Sequence, residues 1–235
     1  MLVRTVRAVG RRGVSFRAVL REVHQLGNRS AWLVGSGMAF FGFVMITIAD
    51  AQARRFTGNL STIGSAYFEL LLREFGPLTS ALLAASRGSA RYASELSSMT
   101  VNEQVEALEM SAGHPLTDLV APRVLGGMIA FPLICILGTG TAALAASGAA
   151  HFVYGADGWA FLDPRFVDGG DLASFLLKTV LCGIYVPLAA AWRGLGARGG
   201  SAAVGQATTE GVVAAVLGCL VIDLVVAFAF LILGA

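Results

Sequence analysis

Charge is what this sequence has least of. Of its 235 residues 14% are charged and 56% hydrophobic, and the mean hydropathy is +0.72. A soluble domain of this size needs far more charged surface, so the composition is that of a membrane protein. Lysine is nearly missing: the 17 basic residues are sixteen arginines and one lysine, Lys178. A phosphate-binding P-loop needs glycine ahead of a Lys-Ser/Thr pair, whereas Lys178 follows Leu177 in an apolar run. ATP binding by that route is excluded, so energised work would draw on a partner or an ion gradient. Cysteine is also scarce, and Cys135, Cys182 and Cys219 lie far apart in apolar runs. Neither they nor His24, His114 and His151 stand at metal-ligand spacing, so no metal site is expected and the cysteines read as small buried hydrophobes. No catalytic constellation is present. The stretch "GLGARG", Gly194 to Gly199, matches a dinucleotide-binding pattern only formally, because it follows an apolar run rather than a strand. A turn is expected there.

What is present is a series of apolar runs. Crossing about 30 Å of hydrocarbon takes about 20 mostly apolar residues. Ser30 to Ala49 is uncharged between Arg29 and Asp50, and Val124 to Ala156 is uncharged throughout. Leu172 to Trp192 carries one charge, Lys178, and Gly211 to Ala235 one, Asp223. Phe75 to Ser98 is the most polar candidate, with Arg87, Arg91 and Glu95 recurring every fourth residue. A helix stacks those three on one face, where Arg91 can pair with Glu95; such a stripe must face protein, water or headgroups. Five spans in one membrane domain over residues 1–235 are expected.

The basic residues suggest an orientation. With the N-terminus inside, twelve basic residues fall on the inner side and five on the outer, and Asp157, Asp163, Asp168 and Asp171 fall outside. Seven of the twelve are arginines in the first thirty residues, where Glu22 is the single acid. Phe16, Val19, Leu20, Val23 and Leu26 follow helical spacing, so residues 1–29 read as a basic amphipathic helix suited to an anionic leaflet. Ala49-Asp50-Ala51 has the look of a cleavage site, but the run before it is too long for a signal peptide.

Against this apolar background "SSMTVNEQVEALEMSAGHP", Ser97 to Pro115, stands out for its carboxylates. Thr100 and Glu103 have capping-box spacing. Val101, Val105 and Leu108 mark one face, Asn102, Glu103, Glu106 and Glu109 fill much of the rest, and Gly113 and Pro115 close the helix. A helix over about 100–112 is expected between spans two and three. No basic residue lies between Glu95 and Asp118, so an anionic leaflet repels it and a protein partner is the favoured dock.

At this point the residues resemble a known family. "REFGPLTSALLAASRGSARYASELSSMTVNEQVEALE" (Arg73 to Glu109), "HPLTDLVAPRVLGGMIAFPL" (His114 to Leu133), "LLKTVLCG" around Lys178 and "AVGQATTEGVV" (Ala203 to Val213) are similar to motifs of the MlaE/YrbE permeases. Those are membrane subunits of ABC transporters that work with MCE proteins in lipid traffic. The resemblance implies an all-α membrane protein with an interfacial N-terminal helix, five spans and a cytoplasmic coupling helix. It implies as partners an ABC ATPase subunit that holds the ATP and magnesium, a second permease copy, an MCE-domain protein and phospholipid, with no nucleic acid. It implies the bacterial inner membrane, with a cytoplasmic N-terminus.

By the same resemblance Val101, Glu103, Gln104, Val105, Glu106, Leu108 and Glu109 form the ATPase-coupling helix. Arg87, Lys178 and Asp223 match the family's charged positions within the spans. Phe40, Phe43, Val44, Leu78 and Leu82 are candidates for a lipid pocket, with lipid-facing aromatics as the alternative for the phenylalanines. Lys178 either snorkels to the outer interface or serves near headgroups. Asp223, deep in its run, needs an internal partner, either Arg87 or Lys178. Small residues at "GSG" (Gly35 to Gly37), "GTG" (Gly138 to Gly140) and "ASGAA" (Ala146 to Ala150) would let helices approach closely.

Overall fold

The computed structural model describes residues 15–56 and 64–233, and the described residues form helices joined by short turns. Helix α1 (Phe16–Phe56) is followed by α2 (Gly64–Leu70), which runs through a single π-helical turn, Leu71–Phe75, into α3 (Gly76–Val101). Then come α4 (Gln104–Met110), a second π turn at Leu116–Val120, and α5 (Ala121–Phe152). A 3-10 turn at Gly158–Leu162 leads to α6 (Gly169–Leu195), and α7 (Ser201–Leu233) completes the order. The all-α membrane class is as expected.

Among the described residues, four stretches are long and apolar enough to cross a membrane: Phe16–Ala53, Leu116–Phe152, Gly169–Leu195 and Ser201–Ile232. The expected second span, α3, is long enough at 26 residues, about 39 Å. Its serines and its Arg87-Arg91-Glu95 stripe make it too polar to qualify by composition. It sits instead at the centre of the bundle, packed against α7, α6, α5 and α1. Its buried stripe is mostly small residues, among them Ser80, Ala81, Ala84, Ala85, Gly88 and Ser89, with Tyr92 and Leu96 nearer its C-terminal end. A helix wrapped by four others can carry polar groups that no lipid-facing helix tolerates.

The N-terminal segment differs from expectation. No boundary separates the basic amphipathic stretch from span one; α1 is one helix of 41 residues, about 61 Å long. Val19 and Leu26 are buried, and Glu22 lies against Gly126 of α5. Part of the apolar face thus packs on the bundle itself, while Phe16 and Leu20 stay exposed. Residues 1–14 of the expected interfacial helix lie outside the described residues.

Close approach explains two glycines. A Cβ at Gly127 of α5 would come within 2.3 Å of the Gly183 carbonyl oxygen of α6, and one at Gly183 within 2.5 Å of the Gly127 oxygen. The two backbones touch there, which only glycine allows. Gly138 of the "GTG" stretch likewise faces Ser80 and Val34, whereas Gly140 and Gly148 face open space. Cys135, Cys182 and Cys219 are free and buried, and "GLGARG" ends α6 with Gly194 and Leu195 and continues as the turn toward α7.

Candidate functional site

Three features concentrate polar chemistry or open space: the exposed helix α4, two charge clusters inside the bundle, and an apolar groove.

Helix α4 hangs between α3 and the π turn that opens α5, with no buried residue. It is shorter than the expected 100–112, and its capping box does not form. α3 continues through Val101, and the Thr100 hydroxyl donates back to the Leu96 carbonyl at 2.8 Å. Burial of Leu96 and Ser97 holds that turn in the bundle, so the local cap signal loses to packing. Glu103 instead takes a left-handed conformation (φ 58°) at the N-cap, with no side-chain cap. At the other end the Gly113 amide donates to the Leu108 carbonyl (3.0 Å) and the Ala112 amide to Glu109 (3.1 Å). That is a Schellman closure, with Ala112 (φ 61°) rather than Gly113 in the left-handed position. Of the predicted coupling residues, Val101 ends α3 and Glu103 sits in the turn. Gln104, Val105, Glu106, Leu108 and Glu109 lie on α4. Val105 and Leu108 are half-buried, and Glu103, Glu106 and Glu109 are exposed.

Near α4, the cluster joining α1, α3 and α5 is built on Arg91 and Arg123. Arg91 meets Glu95 at 2.7 Å and Glu22 at 3.4 Å, and also donates to the Gln25 side-chain oxygen. Arg123 reaches Glu95 at 3.1 Å and the Leu119 carbonyl at 2.7 Å. The ring of Tyr92, fully buried, lies 5.5 Å from the Arg91 guanidinium carbon and 5.7 Å from that of Arg123. The pairing of Arg91 with Glu95 is as the spacing predicts; Glu22 and Arg123 come from other helices.

The second cluster lies toward the opposite end, around the first π turn. Lys178 of α6, 2% exposed, donates to Glu74 at 2.5 Å and to the Arg73 carbonyl at 3.1 Å, and its ammonium is 3.1 Å from Asp223 of α7. Arg73 reaches Asp171 at 3.3 Å. Asp171 also accepts from the Asp168 amide at 2.9 Å, closing a capping box at the start of α6. Lys178 therefore does not snorkel: it is held inside by two carboxylates, and it rather than Arg87 is the partner of Asp223. Arg87 is exposed on α3, far from this cluster. Glu74 and Arg73 escaped the sequence reading because they precede the apolar run; the π turn is what turns them inward.

The apolar groove has a volume of about 440 Å³ and is lined by Phe68, Leu72, Ile136, Ala143, Leu172 and Phe175 among others. It opens between the α2 end of the chain, α5 and α6. None of the five predicted pocket residues lines it. Phe40, Phe43 and Val44 are exposed on α1, at 72%, 44% and 39%, while Leu82 packs partly against the core and Leu78 of α3 is half-buried. Composition alone did not say which apolar faces would meet.

The family model described as Permease MlaE matches residues 19–229 of this chain. Among curated proteins, the intermembrane phospholipid transport system permease protein MlaE of Haemophilus influenzae is 28% identical over 218 residues, covering 89% of this chain and 81% of that protein. A probable ABC transporter permease protein of Synechocystis is 28% identical over 206 residues (87% and 78%). The chloroplastic protein TRIGALACTOSYLDIACYLGLYCEROL 1 of Arabidopsis thaliana is 25% identical over 221 residues (92% and 62%).

Proposed function

The chain belongs to the MlaE permease family, and on that premise we propose that it is the membrane subunit of an ABC transporter moving phospholipid or a related lipid between membranes. ATP and magnesium would reside on a separate ATPase subunit, and an MCE-domain protein would receive or deliver the lipid. The permease would work as a dimer of two copies in a bacterial inner membrane, with the N-terminus and α4 on the cytoplasmic side. The observation that carries this reading is α4: an exposed helix whose charged residues, Glu106 and Glu109, are both acidic, closed at one end by a Schellman turn and hung between α3 and α5. The phospholipid named for the Haemophilus relative supports the substrate class.

A partner gripping Val105 and Leu108 would move α3 and α5 together, because α4 joins them through turns of a few residues. The Leu108→Asp variant should then lose co-purification of the ATPase subunit, and lipid transfer with it, while the permease remains folded. An intact complex in that variant removes α4 as the docking element.

A gradient-driven carrier is the second reading, favoured by the buried Lys178 and its half-buried partners Glu74 and Asp223. It predicts lipid movement in reconstituted vesicles that a protonophore abolishes and that needs no ATPase.

A further inference from the structure

Arginine on a membrane helix requires a counter-charge, a route to water or an anion from outside the chain. Arg91 and Arg123 have Glu22 and Glu95, and that group is balanced, two positive against two negative. Arg29 and Arg87 have no ion pair among the described residues, and both are exposed. They nevertheless stand together. α1 and α3 run side by side so closely that a Cβ on Gly88 would lie 3.0 Å from Leu26. Between them is a groove of about 150 Å³ lined by Gln25, Arg29, Ser30, Arg87, Gly88 and Arg91, with Leu26 as its one large apolar side chain. Two further polar groups in it lack partners. Ser30 is 1% exposed and its hydroxyl makes no hydrogen bond, and Arg91 Nη1 is buried without an acceptor. The groove thus holds two uncompensated positive charges and unused donors on Ser30 and Arg91, in the volume of about five waters. That suits a small oxyanion and is too small for an acyl chain.

Its depth points the same way. Arg29 is the last charge before the uncharged run Ser30 to Ala49, and Trp32, three residues on, is 84% exposed. Tryptophan beside arginine at the end of an apolar run marks the headgroup level of a bilayer. Guanidinium groups bind phosphate oxygens through paired, charge-assisted hydrogen bonds.

We propose that the groove between α1 and α3 binds a phosphate group, held by Arg29, Arg87 and Arg91 with Ser30 donating beneath. The site lies apart from the apolar groove and from α4, and its test needs neither ATPase nor transport, so it stands or falls independently of the permease reading. The full chain is purified in maltoside detergent with Trp159→Phe and Trp192→Phe, leaving Trp32 as the reporter. It is titrated with brominated phosphatidylglycerol and, separately, with brominated diacylglycerol, which lacks phosphate. Trp32 should be quenched by the phosphate-bearing lipid at about tenfold lower concentration. Arg29→Gln/Arg87→Gln should erase that preference, while Arg17→Gln/Arg21→Gln, exposed on the same helix, should keep it. Reversal of quenching by millimolar inorganic phosphate supports a site filled by free phosphate; resistance to it supports a headgroup. Equal quenching by the two lipids, or an equal loss in the Arg17/Arg21 variant, overturns the proposal.

Discussion

The two charge clusters use the same chemistry, one with a carboxylate that reaches water and one around a fully enclosed ammonium. Near α4, Arg91, Arg123, Glu22 and Glu95 balance one another, and Glu95 is 39% exposed. Around the first π turn, Arg73 and Lys178 face three carboxylates, Glu74, Asp171 and Asp223, and Lys178 is 2% exposed. When a pair in the first cluster is broken, water can take over at the exposed carboxylate, which limits the loss. A buried one leaves its surviving partners uncompensated, which costs far more. The first cluster therefore reads as an adjustable clasp among α1, α3 and α5. The second is a fixed junction of α6, α7 and the turn that starts α3.

That contrast can be broken by substitution. Lys178→Met leaves Asp223 without a cation and Glu74 with only Arg73, 3.9 Å away, and should destabilise the protein by about 3–5 kcal/mol in detergent unfolding titrations; adding Asp223→Asn should recover part of it. Arg123→Met removes a guanidinium that is hydrogen-bonded but beside an exposed carboxylate, and should cost about 1.5–3 kcal/mol. Raising salt to about 1 M, where the screening length is about 3 Å, should shrink the Arg123→Met effect and leave that of Lys178→Met nearly unchanged. Equal salt sensitivity would make the two clusters alike. Smallest of all, Arg193→Ala breaks a pair with Glu210 (2.9 Å) whose side chains are 46% and 42% exposed. It should change stability by less than about 1 kcal/mol.

How much of this was legible depended on the range of the interaction. Arg91 and Glu95 are four residues apart on one helix, so their pairing follows from spacing alone. That Asp223 needs an internal partner also follows from the apolar run around it, but Lys178 is 45 positions away and Glu74 more than a hundred. Nothing local distinguishes Lys178 from Arg87 as that partner. The Thr100–Glu103 signal was local and still failed, because the end of α3 is held by the burial of Leu96 and Ser97 against other helices. For Phe40 and Phe43 of α1 the sequence left a pocket and a lipid-facing surface both open, and packing turns them outward.

The sequence by itself determined the class of the molecule, its long apolar helices, the acidic segment between two of them and the family. Each of these depends on composition or on the order of residues along one stretch. Only the tertiary structure decided that α3 is the polar centre of the bundle and that α1 is unbroken. It alone joined Lys178 to Glu74 and Asp223, and brought Arg29 beside Arg87. The physical reason is the same in each case: a charge in an apolar protein is settled by whichever group packing brings within a few ångströms, and packing is a property of helices meeting, not of any one of them.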